Sequence, residues 1–325
     1  MKLNPRQQHD PVRSWSAARL PKLRDQTVTA LRDRGGFIHE MLTSRKPVVG
    51  NALEGPYAPD QGGADLLAHN LADADLYWVT PPMAELAVGA SESLDEMRWC
   101  ASEQPATTGL LVWDEGLTVA QIGALRVPIT AVSWHPHCEA GMSMCFYMAR
   151  NQLDHVMSRA GFQMRPNTEL ERALADLPPL VPVWSTEVAT TSEWTPIMAK
   201  APYSVYSVQL AALYSTWKLM MQPGIADHTR QEVEPKVRKA IARSGRPVPD
   251  VTLVELRRKQ RPRNDGTPAT TSSGRVYRHQ WVVPGFWRNQ ACGPGWSQHK
   301  KIWINDFTKG PDGAPMITRV NVWRR

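Results

Sequence analysis

No run of eighteen apolar residues occurs in this chain, so a membrane-spanning helix is not expected. The opening, MKLNPRQQHDPVRSW, lacks the apolar core that an export signal needs. The sequence therefore reads as soluble and cytoplasmic. Cysteine is scarce: Cys100, Cys138, Cys145 and Cys292 are scattered, with no Cys-x-x-Cys pair. That argues against a disulfide framework and fits a reducing compartment. Also missing are G-x-S-x-G, the P-loop pattern, G-x-G-x-x-G and H-E-x-x-H, which removes the usual signatures of an esterase elbow, a phosphate loop, a dinucleotide site and a zinc protease. The short TKGPDG (308–313) reads as a turn, and no internal repeat is visible. No motif names a reaction, and no cofactor is expected.

What is present is ordinary globular material. Hydrophobic residues make up 42% and charged residues 21% of 325 positions, enough for one large domain or two smaller ones. The 27 prolines and 21 glycines argue for many loops and against an all-helical chain.

Charge is unevenly spread. Residues 226–325 hold 20 Lys/Arg against 8 Asp/Glu, whereas the first 225 hold 18 against 23, within a total of +7. The last 69 residues alone, 257–325, carry 14 basic and 3 acidic side chains. Such a change of sign along one chain points to polyanion contact by the basic part.

The spacing of apolar residues predicts an α+β fold, with antiparallel sheets flanked by helices and a basic β-rich C-terminal region. Residues 1–23 read as a loose basic arm, 24–250 as the α+β core and 251–325 as the basic region. A helix over 25–42 breaks at Gly35-Gly36, and a helix–strand–helix run occupies 63–94, with LYWVT (76–80) as the strand. Strands are expected at 108–116, 127–137, 142–150 and 180–188, as in a meander. PYSVYSVQLAALYSTWKLMMQ (202–222) reads as a buried helix, and 227–245 as an exposed amphipathic one. A strand at 251–256 precedes a Ser/Thr/Gly/Pro-rich loop, which is expected to join two strands of one sheet. Further strands are expected at 275–283, 300–305 and 316–324.

Two stretches carry a resemblance. LADADLYWVTPPMAELAVGASESL with PATTGLLVWDEGL is similar to the opening half of a family of uncharacterised proteins from actinobacteria, their plasmids and their phages. YRHQWVVPGFWRNQACGPGWSQHKKIWINDFTKGPDGAP resembles the closing half of the same family. Together they cover about a quarter of the chain. The resemblance implies a bacterial cytoplasm and a mobile-element or phage origin, and brings no established activity with it. Relatives read Val-Arg-Gly-His-Trp-Arg where this chain has Val283-Pro284-Gly285-Phe286-Trp287-Arg288. Phenylalanine in place of histidine favours a packing or stacking role at 286 over a catalytic one.

Three functional readings follow. The first is nucleic-acid binding, DNA or RNA, through the basic C-terminal region. Arg257, Arg258, Lys259, Arg261, Arg263, Arg288, Lys300 and Lys301 would meet phosphates, and Trp287 and Trp296, expected in a loop, would stack on bases. Trp281 and Trp303 alternate with polar residues along strands and are assigned to the core. The second reading is a metal-independent nuclease or toxin-like enzyme. It would use His279 and His299 as acid and base with Lys300 steadying phosphate, or Asp114 and Glu115 with His135. The third is a protein-interaction or regulatory module whose basic tail meets an acidic partner. A metal site is not expected, although WHPHCEAGMSMC gathers His135, His137, Cys138 and Cys145, and His-x-His on a strand puts both rings on one face.

Overall fold

A computed structural model of the protein describes residues 15–43, 63–122, 125–137, 141–161, 174, 176–191, 195–196, 207–257, 279–310 and 314–316. The chain divides into two compact units, Met1–Leu256 and Arg257–Arg325.

The larger unit opens with a 3-10 turn at Ala17–Arg19 and helix α1 (Leu20–Arg32). Pro21 occupies the first turn of α1, where a missing N–H leaves no bond unmade. Leu20, Leu23, Val28 and Leu31 form the buried stripe of α1. The stretch expected as a loose arm is therefore ordered from Ala17 to Leu23, because its leucines belong to that stripe. Residues 1–14 lie outside the described part. The Gly35-Gly36 break precedes α2 (Phe37–Thr43). Then come α3 (Gly63–Ala72), β1 (Asp75–Val79) and α4 (Pro81–Ser91), the expected helix–strand–helix run.

After a two-residue strand, β2 (Glu96–Met97), the chain forms β3 (Gly109–Trp113), a hairpin of β4 (Thr118–Ile122) and β5 (Leu125–Ile129), and β6 (Ala131–His137). The single strand expected over 127–137 is thus two, parted at Thr130. Next are β7 (Gly141–Ala149), α5 (Leu153–Arg159), β8 (Leu180–Ala189), β9 (Thr195–Pro196), which pairs with β2, and α6 (Ser207–Met220). The segment expected as one helix at 227–245 is instead β10 (Ala226–Gln231) followed by α7 (Pro235–Arg243). DHTRQE offers no apolar helical stripe, and it pairs as an edge strand carrying polar side chains outward.

Seven of these strands form one sheet in the order β10-β11-β1-β3-β6-β7-β8, where β11 is Val251–Leu256. The expected meander is present as β3-β6-β7-β8, all antiparallel. The centre differs from the all-antiparallel expectation: β11, β1 and β3 run parallel. A helix between β1 and β3 carries the chain back to the start of the sheet, and that return makes neighbouring strands parallel. Val251–Leu256 therefore belongs to the main sheet and not to the C-terminal region. The boundary falls after residue 256; β11 and β12 (Trp281–Val283) belong to different sheets, and residues 258–278, expected as the loop between them, lie outside the described part. The fold is α+β, a mixed sheet flanked by helices.

Every side chain of β3 is buried, so both faces of the sheet centre are covered. On one face α4 packs on α6, and Trp217 of α6 meets Trp134 of β6 edge-on at 4.9 Å. Trp99 meets Trp217 and Tyr214 in the same way, while Tyr77 stacks on Trp134. Trp134 fits because position 109 is glycine. A Cβ there would lie 2.2 Å from the indole ring. The Trp134 indole donates to Ala106 O and the Tyr77 hydroxyl to Pro105 O, tying the segment before β3 across this cluster. Among the described residues no helix is long and apolar enough to cross a membrane.

Candidate nucleic-acid interface

Among its described residues, the C-terminal unit is built on one long hairpin, and the strand expected at 316–324 lies outside them after Met316. The hairpin strands are β12 (Trp281–Val283), β13 (Phe286–Cys292), β14 (Gln298–Ile304) and β15 (Phe307–Lys309). β12 pairs with β15 and β13 with β14. The register is continuous: Trp281 faces Lys309, Phe286 faces Ile304 and Cys292 faces Gln298. The only interruption is Pro284-Gly285 opposite Asn305-Asp306, where proline supplies no ladder N–H. Gly285 is needed there because a Cβ would lie 2.4 Å from the Trp303 ring. The stretch expected as a loop from Pro284 to Lys301 is therefore mostly strand, since FWRNQAC alternates well enough to pair with QHKKIWI.

Strand alternation sorts the side chains onto two faces. One carries Trp287 opposite Trp303, Asn289 opposite Lys301 and Ala291 opposite His299. The two tryptophans meet edge-on at 5.2 Å, and the Trp303 indole donates to Asn305 Oδ1. Trp303 is buried, as expected, and Trp281 is half-buried. Two assignments change. Trp287 is half-buried against Trp303 and is no free stacking platform. Lys301 is 4% exposed and is withdrawn from any phosphate. Trp287 lies on a strand that was expected to be loop, whereas Lys301, on the expected 300–305 strand, shares a face with Trp303.

The other face carries Phe286, Arg288, Gln290 and Cys292 opposite Ile304, Ile302, Lys300 and Gln298, of which Phe286, Arg288, Lys300 and Gln298 are exposed. Arg288 donates to the Gln290 amide oxygen at 2.6 Å, which holds the guanidinium over the face. At the turn, Gly293 and Gly295 have φ of +78° and +62°. Trp296 follows at φ +59°, the only non-glycine residue with positive φ among those described. Its side chain is 69% exposed. A bulky residue in the left-handed region is disfavoured by its Cβ, and here it stands with its ring in solvent.

The other sequence candidates are dispersed. Arg257 is exposed just after β11, and Arg258, Lys259, Arg261 and Arg263 lie outside the described residues. His279 and His299 are both exposed, but they stand toward opposite ends of the hairpin. Twelve ladder positions separate them, roughly 40 Å along a straight strand. His299 and Lys300 are adjacent on one strand and so point to opposite faces. This trio is not gathered into an acid, a base and a phosphate clamp. The second nuclease arrangement fails in the same way. Asp114 follows the carboxyl end of β3, whereas His135 lies beyond Trp134, which pairs with Gly109 at the amino end. The two are six residues apart along the sheet, about 20 Å. Burial raises the Asp114 carboxyl above its ordinary range, with the Trp78 indole bond opposing the rise.

His135, His137 and Cys145 do share one face of β6 and β7, as the His-x-His pattern predicts. Burial and the neighbouring His137 push His135 down to about 4, so its ring is neutral at pH 7. Burial pushes the Cys145 thiol up to about 12, so it is no thiolate. His137 Nε2 lies 3.2 Å from Glu187 Oε1. Among the described residues no group of three His, Cys, Asp or Glu stands close enough to hold a metal. Cys138 lies outside them.

Sequence reasoning missed one charged cluster. Lys218, on the buried helix α6, is 9% exposed at its side chain and bonds Glu103 at 2.5 Å, and Arg98 holds the other Glu103 oxygen at 3.0 Å. The Lys218 ammonium also lies 5.2 Å from the Tyr214 ring centre. Burial lowers the Lys218 pKa, and Glu103 opposes that shift. Lysine in an otherwise apolar helix was the available signal. A groove of about 850 Å³ also runs between α1 and α7. Arg19 pairs with Glu234 and Arg246 with Asp25 in it, and with five basic and four acidic side chains lining it, it offers no surface of one sign. The amino end of α4, which follows β1 directly, offers no anion site either. Pro81 and Pro82 supply no N–H, and the Met83 and Ala84 amides bond Thr80 O.

Neither a protein-family model nor a curated protein matches the sequence.

Proposed function

We propose that the protein binds nucleic acid through its C-terminal unit, mainly by electrostatics and with aromatic stacking added. The observation that carries this reading is the hairpin's outward face: Arg288 and Lys300, diagonal neighbours across the ladder, are exposed on the same face as Phe286, and Trp296 is exposed at the turn. The 14 basic against 3 acidic residues of 257–325 supply the long-range attraction. Arg257, Arg258, Lys259, Arg261 and Arg263 add phosphate contacts in this reading without reading bases. The setting proposed with it, on the sequence resemblance alone, is the cytoplasm of a bacterium carrying a mobile element or phage.

The nuclease alternative loses support because none of its residue sets is drawn together. A regulatory module with an acidic protein partner uses the same basic surface and is separated by the same experiment. At about 50 mM salt, oligonucleotides should bind and then dissociate steeply as salt rises. Absence of binding at that salt, with a stable complex formed by an acidic protein, would favour the third reading instead.

A further inference from the structure

We infer that the hairpin is a single-strand reader: Trp296 stacks on an unpaired base while Arg288 and Lys300 hold the phosphates of the same strand. This deepens the nucleic-acid reading and rests on it. Three observations converge on the tip. The Trp296 ring is 69% exposed, the largest exposure among the large apolar side chains described. Its backbone sits at φ +59°, a conformation glycine would take without strain, between Gly295 and Ser297. A large aromatic kept where glycine fits better, and buried against nothing, is explained by contact with a partner.

The partner's chemistry follows from the neighbours. On the outward face Lys300 lies four residues from Trp296, and Arg288 faces Ile302, six residues from it. β14 begins at Gln298, so at about 3.3 Å per residue Lys300 and the Arg288–Ile302 pair lie roughly 7 and 13 Å along the hairpin from the turn that carries Trp296. A row of cations leading to an exposed ring matches an extended polyanion whose bases are free to stack. Bases paired within a duplex interior present no open face to such a ring. Gln290 and Gln298 lie on the same face, and Gln290 holds Arg288 in position. DNA and RNA strands share this chemistry.

The test uses the full chain, its Trp296→Gly variant and its Arg288→Ala variant. The probes are a single strand as DNA and as RNA, the same strand with abasic residues, and a blunt duplex of equal length. Trp296→Gly should keep or raise the unfolding midpoint, since glycine suits the backbone and little burial is lost. It should weaken single-strand binding roughly tenfold while leaving duplex binding unchanged. Abasic residues should weaken the wild-type chain by a similar factor and cost the glycine variant nothing. The strand chemistry that shows the larger loss identifies the natural ligand. Equal losses on strand and duplex, or an abasic penalty that persists in the variant, would overturn the inference while leaving nucleic-acid binding intact. Failure of the wild-type chain to bind any probe, with Arg288→Ala indistinguishable from it, would overturn both.

Discussion

His135 shows how one side chain couples the main sheet to pH. It lies on β6 opposite Ser143 and is 7% exposed. Its pKa falls from 6.5 to about 4, mainly by burial and secondly by His137. Between those two values the unfolded chain binds a proton that the folded chain refuses. Stability therefore falls as pH drops from 6.5 towards 4, and above 6.5 the term is absent. The full difference is about 3 kcal/mol. His135→Asn, which has no proton to take up, should flatten this limb when urea midpoints are compared between pH 7 and pH 4. Equal slopes in the two proteins would show that another group governs the acid limb. At this scale the sequence was informative about burial but not about partners. The alternation of KKIWIN correctly assigned Trp303 to the core, whereas Trp281 of RHQWVV, assigned there too, is half-buried. Nothing local in LYSTWKLMM announced that Lys218 would find Glu103 and Arg98, which come from a segment more than a hundred residues earlier.

Among elements, the C-terminal hairpin is the most exposed to perturbation, because a two-stranded ribbon is marginal without packing on one face. Its inward face depends on the Trp287–Trp303 contact, and that contact depends on Gly285 leaving room for the indole. Gly285→Ala should displace Trp303 and raise the rate of proteolytic cleavage within 281–309, with the 15–256 fold retained. Unchanged cleavage would mean that the ring can move aside without cost. This hairpin also shows why turn and strand are hard to separate by composition. PGFWRNQACGPGWSQHKK is rich in glycine and proline and reads as a loop. Pro284-Gly285 only interrupts the ladder, and the turn itself takes just five residues, 293–297. The same limit applies to 227–245, where charged residues fit a helix surface and an edge strand equally well, and pairing with β11 decides.

Over the whole molecule, the fold class and the long buried elements were readable, because segments such as TGLLVW and AALYSTWKLM leave one choice of period. The parallel centre was not readable: it depends on Val251–Leu256 returning beside β1, a contact between residues about 175 positions apart. The division of charge was legible directly, and it supplies the long-range attraction in the functional proposal. In the proposed complex, Arg288 and Lys300 on the outward face of the hairpin neutralise phosphates. The most direct test is the slope of log binding constant against log salt for a single-stranded oligonucleotide, wild type against Arg288→Ala with Lys300→Ala. Two lost phosphate contacts should lower the magnitude of that slope by about 1.4. Parallel lines for the two proteins would contradict the account.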